Sequence, residues 1–296
     1  MALLGIVGLL VALGAAGLIG WSTRRATSPA ELHAWARSYG LALTPGNRPA
    51  VTYYVRLVIV TRVVGAVAGV VIGSSFDAAF ALETSAAPGW WAWLIGGWTF
   101  GAWWAERELR WPRGSGVASL LPRRTADYLP GRLRAAPYVA LGLVAILAAA
   151  GALATDPSEL DRQRGYGLAP SGTYLLAMVA TAAAVTALTK ITVWRIVSRR
   201  QPPLSPDGLA ADDAIRTSAA HQVSGGGTAV VLCIAASLAS SLAWTVSTPR
   251  ELNGALGLLG LVLWLAALVS WRYYTYRAWR VRRTVGPATG AVVVTA

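Results

Sequence analysis

Seven apolar windows recur along the chain, at 2–20, 63–82, 89–105, 137–154, 173–194, 228–247 and 254–271. Each is roughly 17–22 residues long, and a helix of that length, rising 1.5 Å per residue, crosses about 30 Å of hydrocarbon. Hydrophobic residues make up 55% of the 296 and charged residues 13%, with a mean hydropathy of +0.51, well away from the balance of a soluble domain. The expected fold class is an all-α integral membrane protein with about seven transmembrane helices.

The third window, GWWAWLIGGWTFGAWWA, is short and carries tryptophan at both ends. Because indole prefers the headgroup level, Trp90, Trp91, Trp103 and Trp104 read as interfacial belts rather than as a ligand cage. The first window has no basic stretch before it, and Trp21, Arg24 and Arg25 follow it. Positive charge after the segment favours a retained anchor with its N-terminus outside.

Charge placement sets the topology. Segments 21–62, 105–136, 190–225 and 272–296 hold 6, 7, 5 and 5 basic residues, 23 of the 26 in the chain. The other side receives Arg162, Arg164 and Arg250 together with Asp77, Glu83, Asp156, Glu159, Asp161 and Glu251. This alternation follows the positive-inside rule with the N-terminus out and the C-terminus in. The net charge of +13 is thereby a consequence of topology. With no recognition helix, zinc finger or aromatic stacking platform beside it, nucleic acid is not an expected partner. Anionic membrane lipid is, with Arg110, Arg123, Arg124, Arg195, Arg199 and Arg200 as candidate phosphate contacts. The single lysine against 25 arginines points to a compositionally biased genome, and the expected location is a prokaryotic plasma membrane.

In the first basic segment, Ser28 is placed to cap a short amphipathic helix with Pro29 at its first position and Glu31 at its third, ending at Gly40. Asn47 offers a second cap, after which one long helix can run from 48 to near 80. That register keeps Arg56 and Arg62 at or below the cytoplasmic interface and carries Asp77 toward the outer end, as a hydrated interfacial acid or a proton relay.

A shift of 85 residues places Arg110 on Arg195, Ala126 on Ala211 and Asp127 on Asp212. It implies parallel two-helix repeats, each with a cytoplasmic arm. The expected divisions are 1–82, a first hairpin; 83–154, a second hairpin with an arginine-rich arm; 155–247, a third hairpin with its arm; and 248–296, a terminal helix and basic tail.

Asp127 and Asp212 admit two roles: neutralising the basic clusters, or supplying the hard oxygen ligands and proton acceptors of an enzyme. HExxH, GxSxG, DxD and phosphate-loop patterns are missing from the sequence, so no catalytic residue, metal site or cofactor is assigned. "HQVSGGG" at 221–227 lacks a phosphate loop's lysine and reads as a hinge or helix break, with His221 an interfacial polar group. The lone Cys233 reads as a packing residue. Gly65, Gly69 and Gly73, and Gly97 with Gly101, repeat at the spacing that lets helices approach closely. They serve packing within the chain first and homo-oligomerisation second.

Three function classes remain. The leading expectation is a non-enzymatic membrane scaffold or assembly protein that contacts anionic lipid or a membrane or cytoplasmic protein partner. The alternatives are a transporter using the hydroxyl faces at Thr181–Thr192 and Ser237–Thr245, and an interfacial lipid-modifying enzyme using Asp127 or Asp212.

Overall fold

The computed structural model describes residues 14, 17–79, 89–109, 123–154, 172–199, 205–245 and 250–276. Of these, 91% are helical and none is in a strand. In chain order the helices are α1 (17–26), α2 (Pro29–Ser38), α3 (Arg48–Ala79), α4 (Gly89–Glu108), α5 (Thr125–Tyr128), α6 (Gly131–Ala154), α7 (Gly172–Ser198), α8 (Pro206–Thr245) and α9 (Arg250–Tyr276).

Helix α2 begins and ends where its sequence dictates. Ser28 Oγ accepts the backbone N–H of Glu31, Pro29 occupies the first turn where no donor is needed, and Gly40 follows with φ of 63°. Its apolar face, Leu32 and Ala36, is buried against Val51 of α3 and Ala211 and Ala214 of α8. Asn47 directly precedes α3 and braces the loop behind it, accepting the Thr44 N–H at 2.9 Å and donating to the Ala42 carbonyl. The long helix from 48 to near 80 is present as one element ending at Ala79.

Five described helices are long and apolar enough to cross a membrane: Arg48–Gly73, Gly131–Leu153, Gly172–Ser198, Pro206–Ala243 and Leu252–Arg272. They give the chain the character of an all-α, multi-pass membrane protein. Most of the first expected span, 2–20, lies outside the described residues. The third expected span is α4, a 20-residue helix whose tryptophans and terminal charges leave it outside these five.

Helix α8 is the hub. Helices α3, α4, α6, α7 and α9 all pack on it, and 61% of its most apolar window is buried where the other four candidate spans reach 33% at most. A helix surrounded on every side needs no polar stripe, and Ala, Val, Leu and Ser fill it on all faces. Val144 and Leu147 of α6, Leu175 and Ala182 of α7, and Leu238 and Leu242 of α8 share one core cluster. The outer surfaces of α6, α7 and α9 present apolar side chains such as Val139, Ile146, Leu176, Leu258 and Leu265.

The glycine repeats form a seam between α3 and α4. A Cβ on Gly65 would stand 2.2 Å from the Gly97 carbonyl oxygen, one on Gly69 2.3 Å from that of Trp93, and one on Gly101 2.1 Å from that of Thr61. Only hydrogen fits at these points, so the seam is an intramolecular contact. The reading of 221–227 as a break is corrected: α8 runs unbroken through it. Gly226 and Gly227 instead admit Thr99 of α4 and Thr189 of α7, whose hydroxyls would lie 2.7 and 2.1 Å from an added Cβ. His221 is fully buried among the helices.

Gly97→Ala is expected to destabilise the protein by roughly 1–3 kcal/mol through overpacking against backbone. The adjacent Gly96→Ala, where nothing lies within 4 Å of the added methyl, should be neutral or slightly stabilising. Thermal unfolding of the two variants in the same detergent checks this contrast.

Candidate functional site: a buried ionic junction at the basic end

Along the first half of α8, Asp212, Arg216, Ser218, His221 and Ser224 are all buried, and they form one polar cluster. Asp212 and Arg216 stand one turn apart on α8, with both side chains fully buried. Arg216 Nε donates to Asp212 Oδ2 at 2.8 Å. Its NH1 donates to three carbonyls, those of Ile196 (2.9 Å), Val197 (3.2 Å) and Arg199 (2.7 Å). Those carbonyls belong to the end of α7, which closes at Ser198 and leaves its last C=O groups without intrahelical donors. One guanidinium therefore satisfies a helix C-terminus, where the dipole favours positive charge. Asp212 balances the guanidinium that does so.

Two further arginines complete the junction. Arg199 NH2 reaches Asp212 Oδ1 at 3.0 Å, and its NH1 lies 3.7 Å from Glu106 of α4. Arg123 spans Asp212 at 3.5 Å and Asp213 at 3.3 Å. Asp213 Oδ1 also accepts the Tyr128 hydroxyl at 3.1 Å. From α3, Arg62 is 5% exposed; it donates to Gln222 Oε1 and stacks over the Trp98 ring at 5.7 Å. Arg62 thus faces the interior of the bundle.

Farther along α8, polar side chains repair a broken helix beside it. Leu129 and Pro130 separate α5 from α6, and Pro137 inside α6 has no N–H to offer the Leu133 carbonyl four residues back. Ser224 Oγ donates to that carbonyl at 2.9 Å. His221 Nε2 lies 3.1 Å from the Tyr128 carbonyl; since a carbonyl only accepts, Nε2 carries the proton.

Glu106 lies just past the apolar run of α4 and is the junction's titratable carboxyl. Burial raises it to about 7, against the lowering influence of Arg199, Arg62 and Arg216. Burial, and then the negative charge of Asp213, push the Tyr128 hydroxyl well above its usual range.

The candidate residues thus separate. Asp212, Arg199 and Arg123 meet in the junction. Asp127 instead accepts the Arg124 N–H at 2.8 Å, closing the first turn of α5. Arg124 and Arg195 are exposed, Arg110 and Arg200 lie outside the described residues, and Asp77 falls in the last turn of α3 with its side chain outside them. Sequence reasoning passed over Glu106 and Arg216, and gave Arg62 a depth but no partner. The i, i+4 spacing from Asp212 is the signal that marks Arg216. Among the described residues, no group of three or more His, Cys, Asp or Glu is placed to hold a metal ion. Of the hydroxyls assigned to a solute path, Thr189 bonds its own helix at Val185 and fits Gly227, and Ser240 fits Gly260 of α9.

Fold and site together define an all-helical protein with five helices fit to cross a membrane and a buried ionic junction at one end of the bundle. No family model, curated protein or solved structure matches the chain.

Replacing Arg216 by Met leaves the three α7 carbonyls without their donor and takes from Asp212 the nearest of its three arginine partners, and should cost about 3–5 kcal/mol. Denaturant or thermal unfolding checks it; a loss below about 1 kcal/mol, the range of an exposed pair, would contradict the junction's role. For Glu106, the folded carboxyl holds its proton to higher pH than the ordinary 4.5. Its contribution to stability is fully present below that value and is lost as pH rises through about 7. Relative to Glu106→Gln, the natural protein should therefore lose stability across that window, as thermal scans at successive pH values would read.

Proposed function

We propose that the protein is a non-enzymatic integral membrane scaffold or assembly protein that contacts anionic lipid and a protein partner. Its spans are seven, with the N-terminus out, the C-terminus in and the ionic junction on the cytoplasmic side of a prokaryotic plasma membrane. The observation that carries this reading is the inward commitment of the junction's charges. Asp212 is saturated by Arg216, Arg199 and Arg123, and Asp127 is engaged at a helix start. An enzyme built on these acids would need them converging on a space for substrate, whereas here they join helices. A transporter on the hydroxyl faces would need them lining a route, and Thr189 and Ser240 instead meet glycines of neighbouring helices.

Support for the repeated hairpins comes from the element boundaries. Shifted by 85, α4 falls within α7, and α5 and α6 both fall within α8. The shift sets Pro130 and Gly131 on Ile215 and Arg216, which accounts for one copy being broken where the other is continuous. On this reading the copies have diverged in use, Asp212 forming the junction while Asp127 closes a local turn.

Native mass spectrometry of the gently extracted protein tests the assignment. The scaffold reading expects a stoichiometric protein mass, a second copy or a different chain, in addition to exchangeable lipid. A stoichiometric small molecule with no protein companion would overturn it. For topology, cysteines placed singly at Glu159 and Asp207 in a Cys233→Ser background should label differently with an impermeant maleimide. Position 159 should react on intact cells and position 207 only after permeabilisation; the reverse pattern contradicts the orientation.

A further inference from the structure

We propose that the groove between the first turns of α6 and the last turns of α7 holds the phosphate of an anionic phospholipid between Lys190 and Arg134. The inference deepens the proposed lipid contact and rests on that reading of the membrane orientation.

Lys190 is the only lysine of the chain. Its ammonium donates to the backbone carbonyl of Arg134 and sits 4.2 Å from the centre of the Tyr138 ring. The guanidinium of Arg134, itself exposed, is near enough for the two like charges to repel. Among the described residues, neither has a carboxylate within ion-pair distance. The ionic junction is the contrast, since every arginine pair brought together there shares an acid. Two neighbouring cations with no acid beside them, among the described residues, form a site that an anion stabilises.

The surroundings select a lipid headgroup as the source of that anion. Tyr138 lies one turn from Arg134 on α6 and Trp194 one turn from Lys190 on α7, each on the same face as its cation. Both rings are more than half exposed, at 57% and 62%. Exposed amphipathic rings beside cations are the composition of a membrane interface. Away from the basic end, α6 continues outward with Val139, Ile146 and Leu153, and α7 with Leu188 and Leu176, all exposed. Acyl chains can lie along these surfaces while the phosphate meets the two cations, each near-surface charge contributing on the order of 1 kcal/mol.

The test uses the full chain in phosphatidylcholine nanodiscs containing phosphatidylglycerol as the probe, with bound phosphatidylglycerol counted by native mass spectrometry. Loss of two charges at the groove, Arg134→Gln with Lys190→Gln, should reduce retention by about tenfold or more. Loss of two exposed charges elsewhere, Arg37→Gln with Arg48→Gln, should reduce it by about twofold or less. Thermal unfolding in phosphatidylcholine alone shows that both variants fold. Equal retention by the groove variant and the natural protein overturns this site while leaving general lipid attraction standing. No preference for phosphatidylglycerol in the natural protein overturns both. Displacement of the bound lipid by millimolar inorganic phosphate overturns the choice of a lipid headgroup over a free anion.

Discussion

The pairing of Asp212 with Arg216 is the constraint on which the basic end of the structure depends. An arginine buried without a partner is costly enough that the fold would not tolerate it. Asp212 supplies the charge, and the end of α7 supplies three carbonyls that need donors. Each group removes a penalty that the others would carry alone. Because the two residues stand on α8 and the carbonyls on α7, satisfying them fixes how far α7 extends along the hub. Arg199, Arg123 and Glu106 then draw in α4 and the segment before α5. Among the described residues of the basic segments, Arg123, Arg199 and Arg216 are held by acids turned inward, while Arg124 and Arg195 stay exposed.

The apolar part of the bundle is organised by a different economy, that of small side chains. In a bilayer the lipid is as apolar as a helix surface, so close approach and hydrogen bonding decide which helices associate. Glycines at 65, 69, 97 and 101 bring the α3 and α4 backbones together, and Gly226, Gly227 and Gly260 admit hydroxyl-bearing neighbours. Ser224 and Ser270 donate across helix boundaries to the carbonyls of Leu133 and Gly225. Where Pro137 breaks the backbone ladder of α6, the hub repairs it with a side chain. Helix α8 can do this because it lies at the centre, in contact with α2, α3, α4, α5, α6, α7 and α9.

Much of the architecture was legible in the sequence because it rests on local rules. The cap at Ser28, the turn at Gly40, the uninterrupted helix from 48 to 79 and the glycine seam each follow from spacing within one or two turns. The site was less legible because its logic lies between elements. Charge alternation assigns a segment to a side of the membrane but not a side chain to the inside or outside of a bundle, so it gives Arg62 and Arg216 a side and no partner. Three consecutive glycines suggest a break when viewed alone. Beside Thr99 and Thr189 they are what close packing requires. The 85-residue correspondence set Asp127 and Asp212 together, yet a proline at 130 gives them different surroundings.

The central claim is that Asp212 and Arg216 act as one structural unit clasping the end of α7. A double-mutant cycle with Asp212→Asn, Arg216→Met and the double variant measures this directly through the free energy of unfolding. The account predicts strong non-additivity, about 2 kcal/mol or more, because either single change already breaks the buried contact that the other would remove. Additivity within about 0.5 kcal/mol would mean that the two residues contribute independently, and would contradict a shared buried junction.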